Sequence, residues 1–262
     1  VELQGRLEQL KREGLGLVGI SYDPPEVLKS FAASRKITFP LVSDAGSAII
    51  KQFGLLNTTM EQGSRYYGVP FPGTFIVDRN GVVRARYFEE AYQERNTVAS
   101  ILVRRGSTAS GPTVTAETRH LTMSATLSDE RVAPGERISI VWEIAPRPRM
   151  HVYAPGKHPY QVVRPSVAEQ PWLRVLSPTY PASEIYEFKP LDERVEVYSK
   201  PFRLVQDVTI LASNDVQKML ASQTSVTITG QLDYQACDDT VCYTPQRVPV
   251  SWTVPLRGLD RK

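Results

Sequence analysis

The chain is poor in sulfur, with two cysteines, Cys237 and Cys242, in 262 residues. That excludes a disulfide framework and a four-cysteine metal site, and it confines thiol chemistry to one short segment. Long apolar runs are missing as well. No stretch approaches the ~20 residues needed to cross a bilayer, so no membrane span is expected in this segment. Blocks of like charge are absent, and 31 basic against 28 acidic residues leave a formal charge of +3. A surface that tracks phosphates needs more, so nucleic acid is not expected as a partner. Histidine is scarce too, and no metal-site spacing joins His120, His151 or His158 to the cysteines. Neither a metal nor a cofactor is expected.

Apolar residues, at 41%, are plentiful enough for one or two ordinary cores, and 262 residues favour two domains. Most of the 20 prolines fall after residue 110, where they suggest turns and edge strands. Before that point helices and strands alternate. Leu3, Leu7 and Leu10 recur at helical spacing over residues 1–13, and Pro25 to Arg35 reads as a second helix begun by Asp23-Pro24-Pro25. A short helix fits Ala45 to Phe53, and a last one fits Tyr92 to Val103, with Arg104 and Arg105 at its negative end. Leu17 to Ser21 and Thr74 to Asp78 are short apolar runs, the mark of strands buried on both faces. Arg79-Asn80-Gly81 turns the second into Val82 to Phe88 as a hairpin.

Residues 106–118 are rich in Ser, Thr and Gly without periodicity and read as a linker. The division is therefore 1–105, linker 106–118, and 119–262. In the last part strands are expected at Leu121 to Leu127, Ile138 to Ile144, Tyr160 to Val163, Arg194 to Tyr198, Val208 to Ala212, Val226 to Tyr234 and Val248 to Val254. One helix fits Asp215 to Ser222. Recurring turns and one-sided alternation predict an antiparallel sandwich.

Cys237 and Cys242 are five residues apart. On a helix such residues point ~140° apart, whereas across a hairpin with a four-residue loop they face each other within disulfide range. A loop this short stabilises by only about 2 kcal/mol, which makes the bond a weak staple. The spacing leaves open a structural bond, a redox couple or a metal site. Asp238 and Asp239 beside the sulfurs disfavour thiolate, or else are simply solvated turn residues.

Two resemblances sharpen this reading. Gly16 to Asp23, Phe39 to Asp44 and Pro72 to Gly81 resemble, in order and spacing, the redoxin and peroxiredoxin (AhpC/TSA) branch of the thioredoxin superfamily. The resemblance implies an α/β thioredoxin-like fold for residues 1–105, lacking its N-terminal strand and reactive cysteine as given, and a cis peptide bond before Pro72. It implies that a peroxide- or disulfide-reducing nucleophile lies upstream and that this part is inactive as given. From His120 to Leu256, Tyr-Gln-Ala-Cys at 234–237, Cys-Tyr-Thr-Pro at 242–245 and Met150 to Gly156 resemble the N-terminal, immunoglobulin-like domain of the thiol-disulfide interchange protein DsbD.

That second resemblance implies an all-β immunoglobulin-like sandwich in which Cys237 and Cys242 exchange disulfides, Cys242 forming the mixed disulfide. It implies a shielding cap loop at Ser183 to Phe188, with Ile185 and Tyr186 over the sulfurs beside Glu184, and His151, Tyr153 and Tyr243 as walls. The implied partners are thioredoxin-like domains, a membrane thiol-disulfide transporter or the chain's own redoxin part. The implied location is extracytoplasmic, the bacterial periplasm. Two other functions remain open: a peroxiredoxin with an appended binding domain and a structural disulfide, and a non-enzymatic immunoglobulin-like interaction module.

Overall fold

The computed structural model describes residues 2–58, 61, 63–64, 67, 69–88, 94–188 and 193–257. The chain divides into two units, Val1–Val98 and Ala99–Lys262. In chain order the first holds α1 (Glu2–Gly5), α2 (Leu7–Arg12), β1 (Gly19–Ser21), α3 (Pro25–Arg35), β2 (Leu41–Ser43), α4 (Ala48–Gln52), β3 (Gly73–Val77), β4 (Val83–Phe88) and β5 (Arg95–Asn96). α3 spans the expected residues. Pro24 is extended, Pro25 starts the helix where its missing N–H costs nothing, and Lys36, at φ 53°, ends it with its N–H on Ala32 and Ala33. The helix expected over 1–13 is instead broken at Arg6, whose φ of −105° and ψ of 6° leave the helical region.

β1 and β2 pair in parallel, with Ile20 opposite Val42, and β3 and β4 form the expected hairpin. Its turn is built by Asp78, whose carboxylate accepts the N–H groups of Asn80 and Val82 at 2.9 and 3.0 Å, while Gly81 takes φ 79°. Two expectations fail here. The strands are not buried on both faces: Ile20 and Val77 are 45% and 46% exposed. The physical reason is that β1–β2 and β3–β4 are separate two-stranded sheets, so neither β1 nor β3 has a second strand neighbour among the described residues. The peptide bond before Pro72 is trans, since no cis bond occurs among the described residues. Trans is the isomer an X–Pro bond favours by ~0.5–1 kcal/mol unless its surroundings select the other.

The second unit takes in α5 (Val98–Arg104) from its second residue, followed by β6 (Thr113–Glu117), β7 (Leu121–Leu127), β8 (Glu136–Pro146), β9 (His151–Tyr153), β10 (Arg164–Val167), β11 (Leu173–Val175), β12 (Glu184–Phe188), β13 (Glu193–Tyr198), β14 (Phe202–Ile210), α6 (Asn214–Leu220), β15 (Ser225–Tyr234), β16 (Ala236–Cys237) and β17 (Gln246–Pro255). The start expected for the last helix of the first part, Tyr92, lies outside the described residues; the helix seen begins at Val98. The linker reading is corrected in part. Residues 113–117 are a strand paired with β7, because Val114 and Ala116 alternate toward the sandwich core. Tyr160 to Val163 is not a named strand; pairing with β15 starts at Arg164, and only Val162 bridges back, to Tyr153.

Strands run in the order β11-β14-β8-β7-β6 in one sheet, β10-β15-β17 in a second and β12-β13-β9-β16 in a third. β7 alternates buried and half-buried residues, and β17 alternates exposed and buried ones from Arg247 onward, as one-sided strands must. Their inward residues meet in a core where Trp142 and Trp252 pack edge to face at 5.7 Å and the Trp252 indole N–H donates to the Ala125 carbonyl at 2.8 Å. Arg203 holds the end of α5 by donating to the carbonyls of Val103, Gly106 and Ser107. Arg104 pairs with Asp207, which also accepts the Ser139 hydroxyl at 2.7 Å.

Candidate functional site

The site forms where the chain passes from one sheet to another. β15 ends at Tyr234, whose buried hydroxyl donates to Thr118 Oγ1 at 2.9 Å. Gln235 then bridges the crossing: its side chain accepts the Gln161 N–H and donates to the Tyr243 carbonyl. Ala236 and Cys237 join the third sheet, opposite Val152 and His151 of β9. The Tyr-Gln-Ala-Cys sequence thus anchors, crosses and delivers the sulfur.

Cys237 and Cys242 are disulfide-bonded, with Cα atoms 4.1 Å apart. Hydrogen bonds flank the pair on both sides, from Asp238 N–H to Val241 and from Tyr243 N–H to Ala236. The cysteines are therefore a non-hydrogen-bonded pair, the closer of the two antiparallel arrangements. Asp238 makes the turn. Its carboxylate accepts the Thr240 and Val241 N–H groups, each at 2.8 Å, together with the hydroxyls of Thr240 and Tyr243. These donors hold it far below the usual carboxylate range, the Thr240 N–H first among them. Of the two roles open to Asp238, that of turn residue is the one these contacts display.

The two sulfurs are unequal. Cys237 is 1% exposed, packed with Tyr153, Val195 and Val197, whereas Cys242 is an exposed residue. The Tyr153 hydroxyl lies 2.9 Å from Cys237 Sγ and 3.3 Å from Cys242 Sγ. Since disulfide sulfurs carry no proton, Tyr153 is the donor, to one sulfur at a time. Burial, then the neighbouring Tyr160, Glu193 and Tyr186, push its pKa well up, so it stays protonated. Its ring stacks on Tyr160 at 4.2 Å and 9°, and Tyr160 in turn donates to Glu193 at 2.7 Å. His158 lies 5.2 Å from the Tyr153 ring, with Nε2 on the Ala154 carbonyl at 2.8 Å.

The expected cap is a strand, β12, antiparallel to β13, and not a loop. Successive strand residues face opposite ways, so Ile185 and Tyr186 cannot both cover the sulfurs. Tyr186 packs with the cluster around Cys237, while Ile185 is 53% exposed. The Tyr186 hydroxyl donates to Asp239 at 3.2 Å and its ring lies 4.4 Å from that of buried His151. Glu184 shares the face of Tyr186 and accepts the Ser199 N–H at 2.9 Å. Tyr243 braces the turn through its hydroxyl on Asp238, its ring 4.5 Å from His120 and 5.1 Å from the Arg119 guanidinium.

Sequence reasoning missed Tyr160, His158, His120 and Glu193. The available signal for Tyr160 and His158 was the density of tyrosine and histidine over 151–160; nothing in the sequence marks His120 or Glu193 in that way. Pro72 lies in the first unit and is described there alone. No group of three or more metal-binding side chains occurs among the described residues.

Residues 1–86 match the family model of the AhpC/TSA family, and residues 124–251 match that of "Thiol:disulfide interchange protein DsbD, N-terminal". Peroxiredoxin Bcp of Escherichia coli (strain K12) is 32% identical over 81 residues, 31% of this chain and 51% of its own length. The chloroplastic peroxiredoxin Q of Sedum lineare is 34% identical over 90 residues, 34% of this chain and 45% of its own. The chain thus spans about half the length of these curated relatives. Among solved structures, the N-terminal periplasmic domain of ScsB from Proteus mirabilis aligns with 55% of this chain and 51% of its own at 16% identity and a TM-score of 0.35.

Proposed function

We propose, for a chain that joins an AhpC/TSA-family segment at 1–86 to a DsbD N-terminal segment at 124–251, that Cys237 and Cys242 are a working thiol-disulfide couple. The observation that carries this is the asymmetry of the pair. Cys242 is exposed to a visitor, Cys237 is buried, and one tyrosine hydroxyl reaches both sulfurs. A partner thiolate attacks Cys242 Sγ, the S–S bond breaks, and its electron pair goes to Cys237 Sγ beside the Tyr153 hydroxyl. The partner's second thiolate then attacks the partner sulfur of the mixed disulfide and releases Cys242. Two electrons have moved, and both cysteines end as thiols after taking two protons from solvent. Run in reverse, Cys242 attacks an acceptor disulfide and Cys237 resolves it.

The partners this chemistry fits are thioredoxin-like domains and a membrane thiol-disulfide transporter. Residues 1–236 contain no cysteine, so exchange with the redoxin part would need a thiol that this sequence does not hold. An extracytoplasmic, periplasmic setting fits the match to the DsbD N-terminal family model, and a disulfide persists in such a compartment. No described helix is long and apolar enough to cross a membrane.

The test is trapping. With an oxidised thioredoxin-fold protein as probe, Cys237→Ala should accumulate a covalent adduct through Cys242. Cys242→Ala should form at least about tenfold less, its remaining sulfur being buried. Equal adducts from both, or none from either, would overturn the reading.

A further inference from the structure

We propose that His151 is a positioning residue for this exchange: it latches Tyr186 over the disulfide while its ring is neutral and releases it on taking up a proton. The inference rests on the reading that Cys237 and Cys242 exchange with a protein partner. Its own ground is the way Tyr186 is held. The ring lies on His151, 4.4 Å away and tilted by 33°, and the hydroxyl is tied to Asp239 in the turn between the cysteines. His151 is the cross-strand neighbour of Cys237 and is 4% exposed. The latch, the lid and the buried sulfur thus share one face of one sheet.

The groups around His151 decide its charge. β12 contributes Glu184 and Tyr186, and the turn after β16 contributes Asp238 and Asp239, whose carboxylates favour a proton on the ring. Their pull is divided: Asp238 is engaged by the turn, Asp239 by Tyr186 and by Arg149 at 3.6 Å, and Glu184 by Ser199 and by Lys200 at 3.8 Å. On its own strand the neighbour is Tyr153, with ring centroids 5.7 Å apart. Burial outweighs the carboxylates and holds the pKa of His151 below its ordinary value.

The linkage then has a fixed sign. With Tyr186 in place, His151 binds a proton poorly; with Tyr186 lifted and the ring wet, it binds one as a free histidine does, at about pH 6.5. The lifted form therefore carries more protons. From about pH 6.5 downward each pH unit favours it by up to about tenfold, until the latched form is itself protonated.

The experiment measures exchange of the full chain with a reduced thioredoxin-fold protein between pH 5 and 8, in wild type and in Tyr186→Ala. The Tyr186→Ala rate divided by the wild-type rate at each pH cancels the titration of the partner's thiols. The quotient should exceed one at pH 7.5 and fall toward one by pH 5. In a His151→Phe background, which keeps a ring and cannot titrate, the same quotient should be flat. Independently of any variant, the NMR titration of His151 in the wild-type chain should give a pKa below 6.5, rising toward it in Tyr186→Ala.

A quotient that does not change with pH in wild type, or a His151 that titrates identically with and without Tyr186, overturns the latch while leaving the exchange reading intact. A chain that exchanges with neither this protein nor dithiothreitol overturns both.

Discussion

At the scale of single residues the proposed exchange rests on Tyr153. A leaving thiolate at a buried sulfur needs a donor, and the Tyr153 hydroxyl sits at 2.9 Å from it with a pKa raised by burial, so its proton is retained at working pH. Tyr153→Phe keeps the stack on Tyr160 and removes only that donor. A hydrogen bond to a charged group contributes about 1.5–3 kcal/mol, so reduction of the disulfide by dithiothreitol should slow at least about tenfold at fixed pH. An unchanged second-order rate would show that Tyr153 is packing alone. The two cysteines and Tyr153 were legible from spacing and resemblance. Tyr160, His158 and Glu193 were not, because their approach depends on how residues 154–159 fold back, which no periodicity encodes. Ile185 was misplaced for a simpler reason: reading 183–188 as a loop discards the alternation that turns it away from the sulfurs.

At the scale of elements, strands with strong one-sided alternation were read with the right bounds or nearly so. β7 matches to the residue, and β8, β13, β15 and β17 contain the stretches expected of them. Short strands that depend on partners, β6, β9, β11 and β16, carry too few residues to show a period. The same limit explains the linker. Thr113 to Ala116 alternate Thr with small apolar side chains, but four residues within a stretch rich in Ser, Thr and Gly read as linker until β7 pairs with them. α5 shows how tertiary contacts assign an element to a unit, since Arg203 holds the carbonyls at its end. Arg203→Met removes the donor for three carbonyls and should destabilise the second unit by about 2 kcal/mol. The three tryptophans, Trp142, Trp172 and Trp252, all lie in that unit, so the melting of tryptophan emission in the full chain measures it directly. A midpoint shift of about 4–8 °C is expected, and one below 1 °C would mean that water serves those carbonyls equally well.

At the scale of the whole molecule the two units differ in how they are built. Among the described residues, two apolar clusters of buried residues form, both in the second unit, whereas the first leaves Val18, Ile20, Val42 and Val77 substantially exposed beside two-stranded sheets. The division into an α/β part and a β sandwich was legible from the change of period near residue 110, but the seam was not, because the sandwich recruits residues from 99 onward. Both cysteines lie in the second unit, so the question for the molecule is whether their disulfide carries electrons or only joins a hairpin. The most direct answer is the equilibrium potential of Cys237–Cys242 in the full chain, read by alkylating free thiols across a series of defined thiol-disulfide buffers. A working couple should lie above about −300 mV, within reach of biological thiol donors; a value below that would mark a bond made to stay closed and contradict the account.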